Sequence, residues 1–402
     1  MPTSAKFWLQ VVNKLIYCTN VKTLHSLDPE LMAIPTFSTG DPILDFFYTL
    51  FNGIAEVPLF SSPITGILIL AGVFIASRKA GAMMVLSGLI GAGVAILAGA
   101  PYDLVTFGLF GYNSILTGMA FWSGPFVKAN RATFAISVFG AAITAFSWMA
   151  FSHVMGDMFL LGGPSAGWAI PGFTSSFIFT TWALMFASKR FGHDIWPEAP
   201  PPPKEELRPQ SDKPVQVESF KWTAKEFIIA TLKGVSQVTF VENWKTGVFW
   251  VVGLTLAFQL PPVIDGVQEG IPWWTNAYTA GWNEYSPLYL AGVMALLGSG
   301  IGVAMAILTK LPTAEIRLGL HGFNQVLVMI ALTSFVPLTP QSFIMAVFAA
   351  IGCSFLMPAL QRFFGQWGLP ALTGPFVFTA WVFMLAVAGF QNIPAGIGWS
   401  RP

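Results

Sequence analysis

The chain has 402 residues, of which 54% are hydrophobic and only 10% charged, with a net charge of +1 and a mean hydropathy of +0.65. That is too apolar for a soluble protein of this length, and a near-neutral charge offers nothing to a nucleic acid. Two cysteines, Cys18 and Cys353, cannot build a disulfide framework, and the long uncharged runs are those of an all-α polytopic membrane protein.

Residues 1–40 read as an interfacial or soluble arm, since FWLQVVNKLIY (7–17) has no clean apolar core of a signal peptide. The first membrane repeat, 41–190, opens on DPILDFFYTLFNGIAEV (41–57), which is helical in period but short and partly polar, and is broken by Ser-Ser-Pro at 61–63. Two readings of it stand: a re-entrant half-helix that stops inside the membrane, or an amphipathic helix on its surface. Five spans follow, near 63–77, 80–99, 103–122, 131–151 and 167–187; a helix of about twenty apolar residues crosses a bilayer. The stretch 191–221 is rich in proline and charge, which predicts a solvent-exposed linker. The second repeat, 222–392, opens on WTAKEFIIATLKGVSQV (222–238), broken by ENW at 242–244. Five more spans follow it, near 246–260, 288–309, 314–336, 341–360 and 369–390, with an inserted loop at 261–287 and a tail at 393–402.

The two halves repeat one another. Gly53, Val57, Thr65, Gly66 and Gly72 meet Gly234, Val238, Thr246, Gly247 and Gly253 at a constant offset of 181. GLFGYN (108–113) meets GLHGFN (319–324) at 211, and IPGFTSSFIFTTWALM (170–185) meets LPALTGPFVFTAWVFM (369–384) at 199. Three collinear blocks imply duplication. Five is odd, so two five-span halves enter the membrane from opposite faces: an inverted repeat, with the solute path at the interface of the halves.

The candidate site residues lie in these blocks. A helix that stops inside a membrane leaves carbonyls that need donors or a wet cavity, and Glu56 and Gln237 add side-chain oxygens at matching positions. Thr174 and Thr373 follow Pro171 and Pro370 in Pro-x-x-Thr; the prolines free backbone groups, and the hydroxyls serve either a solute or their own helix carbonyls. Gly108 and Gly111 suit close helix packing. Asn113 and Asn324 need partners inside a span and are read as braces for neighbouring backbone. Tyr112 with Leu116, and Phe323 with Leu327, share one helix face each. Asp103 and Glu315 fall in first helical turns, where carboxylates complement the dipole, and Arg317 faces either Glu315 or a pore mouth. No HExxH, cysteine pair, acidic cluster or Walker loop occurs, so no metal, cofactor or enzymatic activity is expected.

The GLFGYN/GLHGFN pair, GVSQVTF followed by ENWKTG, and above all GLPALTGPF (368–376) resemble the urea transporters over roughly residues 45–390. The first-half copy IPGFTSSF carries Ile170 and Ser176 where that family has Leu and Pro. The resemblance implies passive, selective permeation of urea through a channel in each subunit of a homotrimer in a lipid bilayer, with the plasma (inner) membrane as the expected location. It implies an aromatic slot at each mouth and a constriction near Thr174 and Thr373. One slot would join Phe240, Phe323 and Leu327. The other would join Tyr112, Leu116 and Leu59, with Leu in place of the expected Phe and with Phe60 as its substitute if the turn shifts. Glu56 stands where the family has Gln. The alternatives are an ion-coupled secondary transporter of another small polar solute, such as a short amide, and an ammonia channel. The second would want paired pore histidines, and His153 and His321 do not occupy equivalent positions. Short basic loops (Arg78, Lys79, Lys128, Arg131, Lys189, Arg190, Lys310, Arg362) share one face, opposite the acidic loop 261–287. The positive-inside rule places the linker in the cytoplasm and both termini outside; the resemblance implies the reverse.

Overall fold

The computed structural model describes residues 38–158, 171–197, 220–256, 290–336 and 338–387. Most of the expected N-terminal arm and linker, the inserted loop and the tail lie outside them. The first half contributes α1 (Pro42–Ala55), α2 (Pro63–Ala76), α3 (Arg78–Leu97), α4 (Tyr102–Phe107), α5 (Tyr112–Trp122), α6 (Arg131–Met158) and α7 (Ser175–Ser188). The second contributes α8 (Ala224–Ser236), α9 (Trp244–Leu256), α10 (Leu290–Leu308), α11 (Thr313–Arg317), α12 (Phe323–Phe335), α13 (Pro340–Gly365) and α14 (Gly374–Val387). Seven helices recur in the same order.

Helix starts are written locally. Asp41 accepts from Ile43 N at 2.8 Å ahead of Pro42, and Ser62 caps α2 ahead of Pro63. Thr223 with Glu226, and Thr339 with Ser342, form reciprocal capping boxes. Each cap satisfies amide hydrogens the helix itself cannot.

Among the described residues four helices, α3, α6, α10 and α13, are long and apolar enough to cross a membrane. The spans expected at 103–122 and 314–336 are not continuous. Each is a short helix, a break and a second helix: α4 then α5, and α11 then α12. The breaks fall at Gly108 and Gly319, whose φ angles are +102° and +82°. A Cβ at Gly108 would lie 2.5 Å from the backbone of Asn52, and one at Gly319 would lie 2.5 Å from Gly234 N. Both positions therefore need glycine for conformation and for close approach.

Burial along α1 is graded by end, not by face. Ile43, Leu44, Phe46 and Phe47 are exposed, whereas 52–58 are buried. The end of α8 is buried in the same way. A helix lying flat on a surface would instead bury one stripe along its whole length. The buried end of α1 packs among α2, α3, α4 and α5.

The halves meet where helices face their own counterparts, α2 against α9 and α7 against α14. The hydrogen bonds there are reciprocal. Thr65 Oγ1 donates to Gly253 O at 2.8 Å, and Thr246 Oγ1 to Gly72 O at 2.7 Å. Trp182 Nε1 donates to Pro370 O at 2.9 Å, and Trp381 Nε1 to Pro171 O at 3.1 Å. Such pairs are what a two-fold relation between the halves generates.

Candidate permeation path

The end of α1 and the end of α8 turn identically. Leu59 N bonds Glu56 O at 2.9 Å and Phe60 N bonds Ala55 O at 3.1 Å; Phe240 N bonds Gln237 O at 2.9 Å and Val241 N bonds Ser236 O at 3.4 Å. Leu59 and Phe240 both take left-handed backbone, at φ +68° and +57°. The turn therefore does not shift: Leu59 is the counterpart of Phe240, and Phe60, 2% exposed, is the counterpart of Val241. Phe240 rests edge-on to Phe126 at 5.5 Å and tilted to Phe177 at 6.0 Å, rings of the first half.

Beside each turn lies the polar side chain one position past the helix. Gln237 Nε2 donates to Leu318 O at 2.9 Å. Its counterpart Glu56 is buried and meets Ser61 Oγ, which also lies 3.0 Å from Phe107 O, the counterpart of Leu318 O. At the second turn the positions matching Asn52 and Ser61 hold Lys233 and Glu242, paired at 2.6 Å. Glu315 faces His321 at 3.1 Å, while Arg317 lies over the Phe220 ring at 5.2 Å and, among the described residues, forms no ion pair with Glu315.

At the centre, Thr174 Oγ1 and Thr373 Oγ1 are 2.7 Å apart and fully buried. They sit just before the N-termini of α7 and α14. Asn113 and Asn324 hold these two segments. Asn113 Nδ2 donates to Phe173 O at 3.1 Å and its Oδ1 accepts from Phe177 N at 3.2 Å; Asn324 Nδ2 donates to Leu372 O at 3.3 Å and its Oδ1 accepts from Phe376 N at 3.1 Å. Tyr112 donates to Phe173 O at 2.7 Å and accepts from Trp148 Nε1 at 3.1 Å. Phe323, Leu116 and Leu327 are buried beside these segments on α5 and α12. Phe173 packs on Phe335 and Phe376, at 5.7 and 5.1 Å.

The arrangement brings hydroxyls, amides and carbonyls between aromatic and aliphatic walls. Among the described residues no lysine or arginine is buried. These groups can hydrogen-bond a small neutral solute, and among the described residues Asp45 and Glu56 are the buried carboxyls. Sequence reading did not single out Ser61, Phe126, Phe177 or the two tryptophans. Trp182 and Trp381 did stand in register within a quoted block, so their recurrence was the available signal.

Compared with known families, the chain matches the one described as Urea transporter, over residues 3–165, 158–260 and 285–397. Urea transporter 1 of Ovis aries and that of Capra hircus are each 27% identical over 360 residues, covering 87% of this chain and 79% of theirs. Urea transporter 1 of Rattus norvegicus is 25% identical over 358 residues, with the same coverage. Because the family match runs through both halves and takes in all three duplicated blocks, the chain belongs to the urea transporter family.

Proposed function

We propose that the protein passes urea passively across a membrane, along a path between its two halves. The halves are read as inverted in the bilayer, with α1 and α8 as re-entrant half-helices. The observation that carries the reading is the Thr174–Thr373 contact at 2.7 Å, where the two Pro-x-x-Thr segments of a urea transporter family member converge. Urea is flat and neutral, with four N–H donors and one acceptor oxygen. Apolar walls at Leu59, Tyr112 and Leu116, and at Phe240, Phe323 and Leu327, accept its faces. Glu56, Gln237 and the helix-end carbonyls take its N–H groups, and Thr174 with Thr373 bond it at the midpoint. Asn113, Asn324, Pro171 and Pro370 hold the lining backbone. A neutral hydrogen bond nets only about 0.5–1.5 kcal/mol, so several weak sites in series let the solute both load and leave. The assembly is a homotrimer with one path per subunit, in the plasma (inner) membrane.

The test is stopped-flow light scattering on liposomes containing the protein. Urea efflux is expected to run down its gradient, indifferent to collapse of a proton gradient. Phe323→Ala and Thr373→Val are each expected to lower it about tenfold, the equivalent of about 1.4 kcal/mol. Wild-type flux in both variants would remove these residues from the path.

A further inference from the structure

The two half-helix turns satisfy the same carbonyl in different ways, and the difference is one proton. In the second half the Gln237 amide supplies a hydrogen to Leu318 O directly. In the first half Glu56 stands at that position, and Ser61 Oγ lies between the Glu56 carboxyl and Phe107 O. Ser61 has one hydroxyl hydrogen. With an ionised Glu56 that hydrogen can serve the carboxylate or the carbonyl, not both. One helical turn earlier, Asn52 Nδ2 donates to Thr106 O at 2.9 Å, while buried Asn52 Oδ1 has no hydrogen-bond partner.

Among the described residues, no lysine, arginine or histidine forms an ion pair with Glu56. α2 carries no ionisable side chain. α5 carries only Tyr112, whose hydroxyl is given to Phe173 O. On α3 the charges are Arg78 and Lys79 in the first turn, and Lys79 Nζ sits 4.2 Å from the Trp122 ring centroid. α4 brings Tyr102 and Asp103; Tyr102 bonds Asp45 at 3.2 Å, and Asp45, near the start of α1, is also held by Ser38 and Thr39.

We infer that Glu56 works as a neutral carboxylic acid and sets a pH limit on permeation. Its O–H donates to Ser61, whose O–H donates to Phe107 O, and its other oxygen faces the path as an acceptor. This acid–hydroxyl relay does the task of the Gln237 amide. When the proton leaves to water at high pH, the Ser61 hydroxyl turns to the carboxylate and Phe107 O loses that donor. A bare charge then stands beside an apolar path, where it holds a cation or grips urea N–H groups too strongly for release.

The inference rests on the urea path proposed above. Liposome urea permeability is expected to fall about threefold to tenfold between about pH 6 and about pH 10, the worth of one neutral hydrogen bond. Glu56→Gln is expected to abolish the pH dependence whatever its absolute flux, which separates Glu56 from the His321–Glu315 pair. Infrared difference spectra of the same titration are expected to show loss of a carboxylic-acid C=O stretch that Glu56→Gln lacks. Urea flux that is steady across this range, a slope retained in Glu56→Gln, or absence of that stretch would overturn the inference and leave the path intact. Absence of urea flux at every pH would instead overturn the path.

Discussion

Asn324 holds two backbone atoms of the opposing wall at once, Leu372 O and Phe376 N, one on each side of Thr373. It thereby ties down the backbone on either side of Thr373. Replacing it with leucine keeps the volume nearly constant and strands a buried carbonyl and a buried amide. Stranding a buried polar group costs about 1–3 kcal/mol, so Asn324→Leu is expected to lower the unfolding temperature in detergent by several degrees and to reduce urea flux with it. Full retention of both would show that the brace carries no weight. The need for a partner at Asn324 was legible because amides are rare inside spans. The identity of that partner was not, because it comes from a segment 48 residues away. The same holds for Ser61. Beside a proline it reads as a helix cap, which Ser62 is, and the Phe107 carbonyl that it meets lies 46 residues along the chain.

At the scale of elements, the four long helices and the duplicated order followed from apolar run length and from the offsets. The two broken spans did not. Glycine inside a membrane helix ordinarily signals close packing, and hydropathy is blind to a helix that stops and restarts within one apolar run. What distinguishes Gly108 from a packing glycine is its φ of +102° together with the Asn52 backbone lying 2.5 Å from an added Cβ. Gly93, within α3, has ordinary helical backbone and nothing within 4 Å of an added Cβ. Gly108→Ala is therefore expected to cost about 3 kcal/mol or more, from strain plus displacement of α1, and to lower the yield of folded protein on size-exclusion chromatography. Gly93→Ala is expected to be neutral or to gain about 0.5–1 kcal/mol from helix propensity. Equal behaviour of the two variants would mean that the break between α4 and α5 is not required. Re-entrance belongs to this scale too. Periodicity left the half-helix and the surface helix equal, whereas burial graded by end rather than along one stripe favours the former.

For the whole molecule, the question is what keeps two halves of an integral, multi-pass membrane protein in register. Among the described residues, hydrogen bonds that join them include the Thr65–Gly253 and Thr246–Gly72 pair, the Trp182–Pro370 and Trp381–Pro171 pair, and the central Thr174–Thr373 contact. In lipid, helices have no hydrophobic drive toward one another, so close packing and such bonds must supply the association. The covalent connection runs through residues 198–219, a stretch rich in proline and charge and expected from sequence to be a linker; a short flexible linker raises effective concentration to about millimolar. If the interface is sufficient, the tether is dispensable once folding is complete. A protease site introduced between Ser211 and Asp212 and cut after purification is expected to leave the halves eluting together in detergent. Once reconstituted, the cut protein should keep urea flux within about twofold of the uncut protein, because the path depends on interface geometry and not on chain continuity. Adding Thr65→Val and Thr246→Val removes one reciprocal pair, worth about 1 kcal/mol in total at the average measured between membrane helices; in the cut protein this is expected to shift elution toward separated halves, while the uncut double variant stays whole. Separation of the cut halves without any substitution would assign their register to the linker and would remove the reciprocal bonds as its cause.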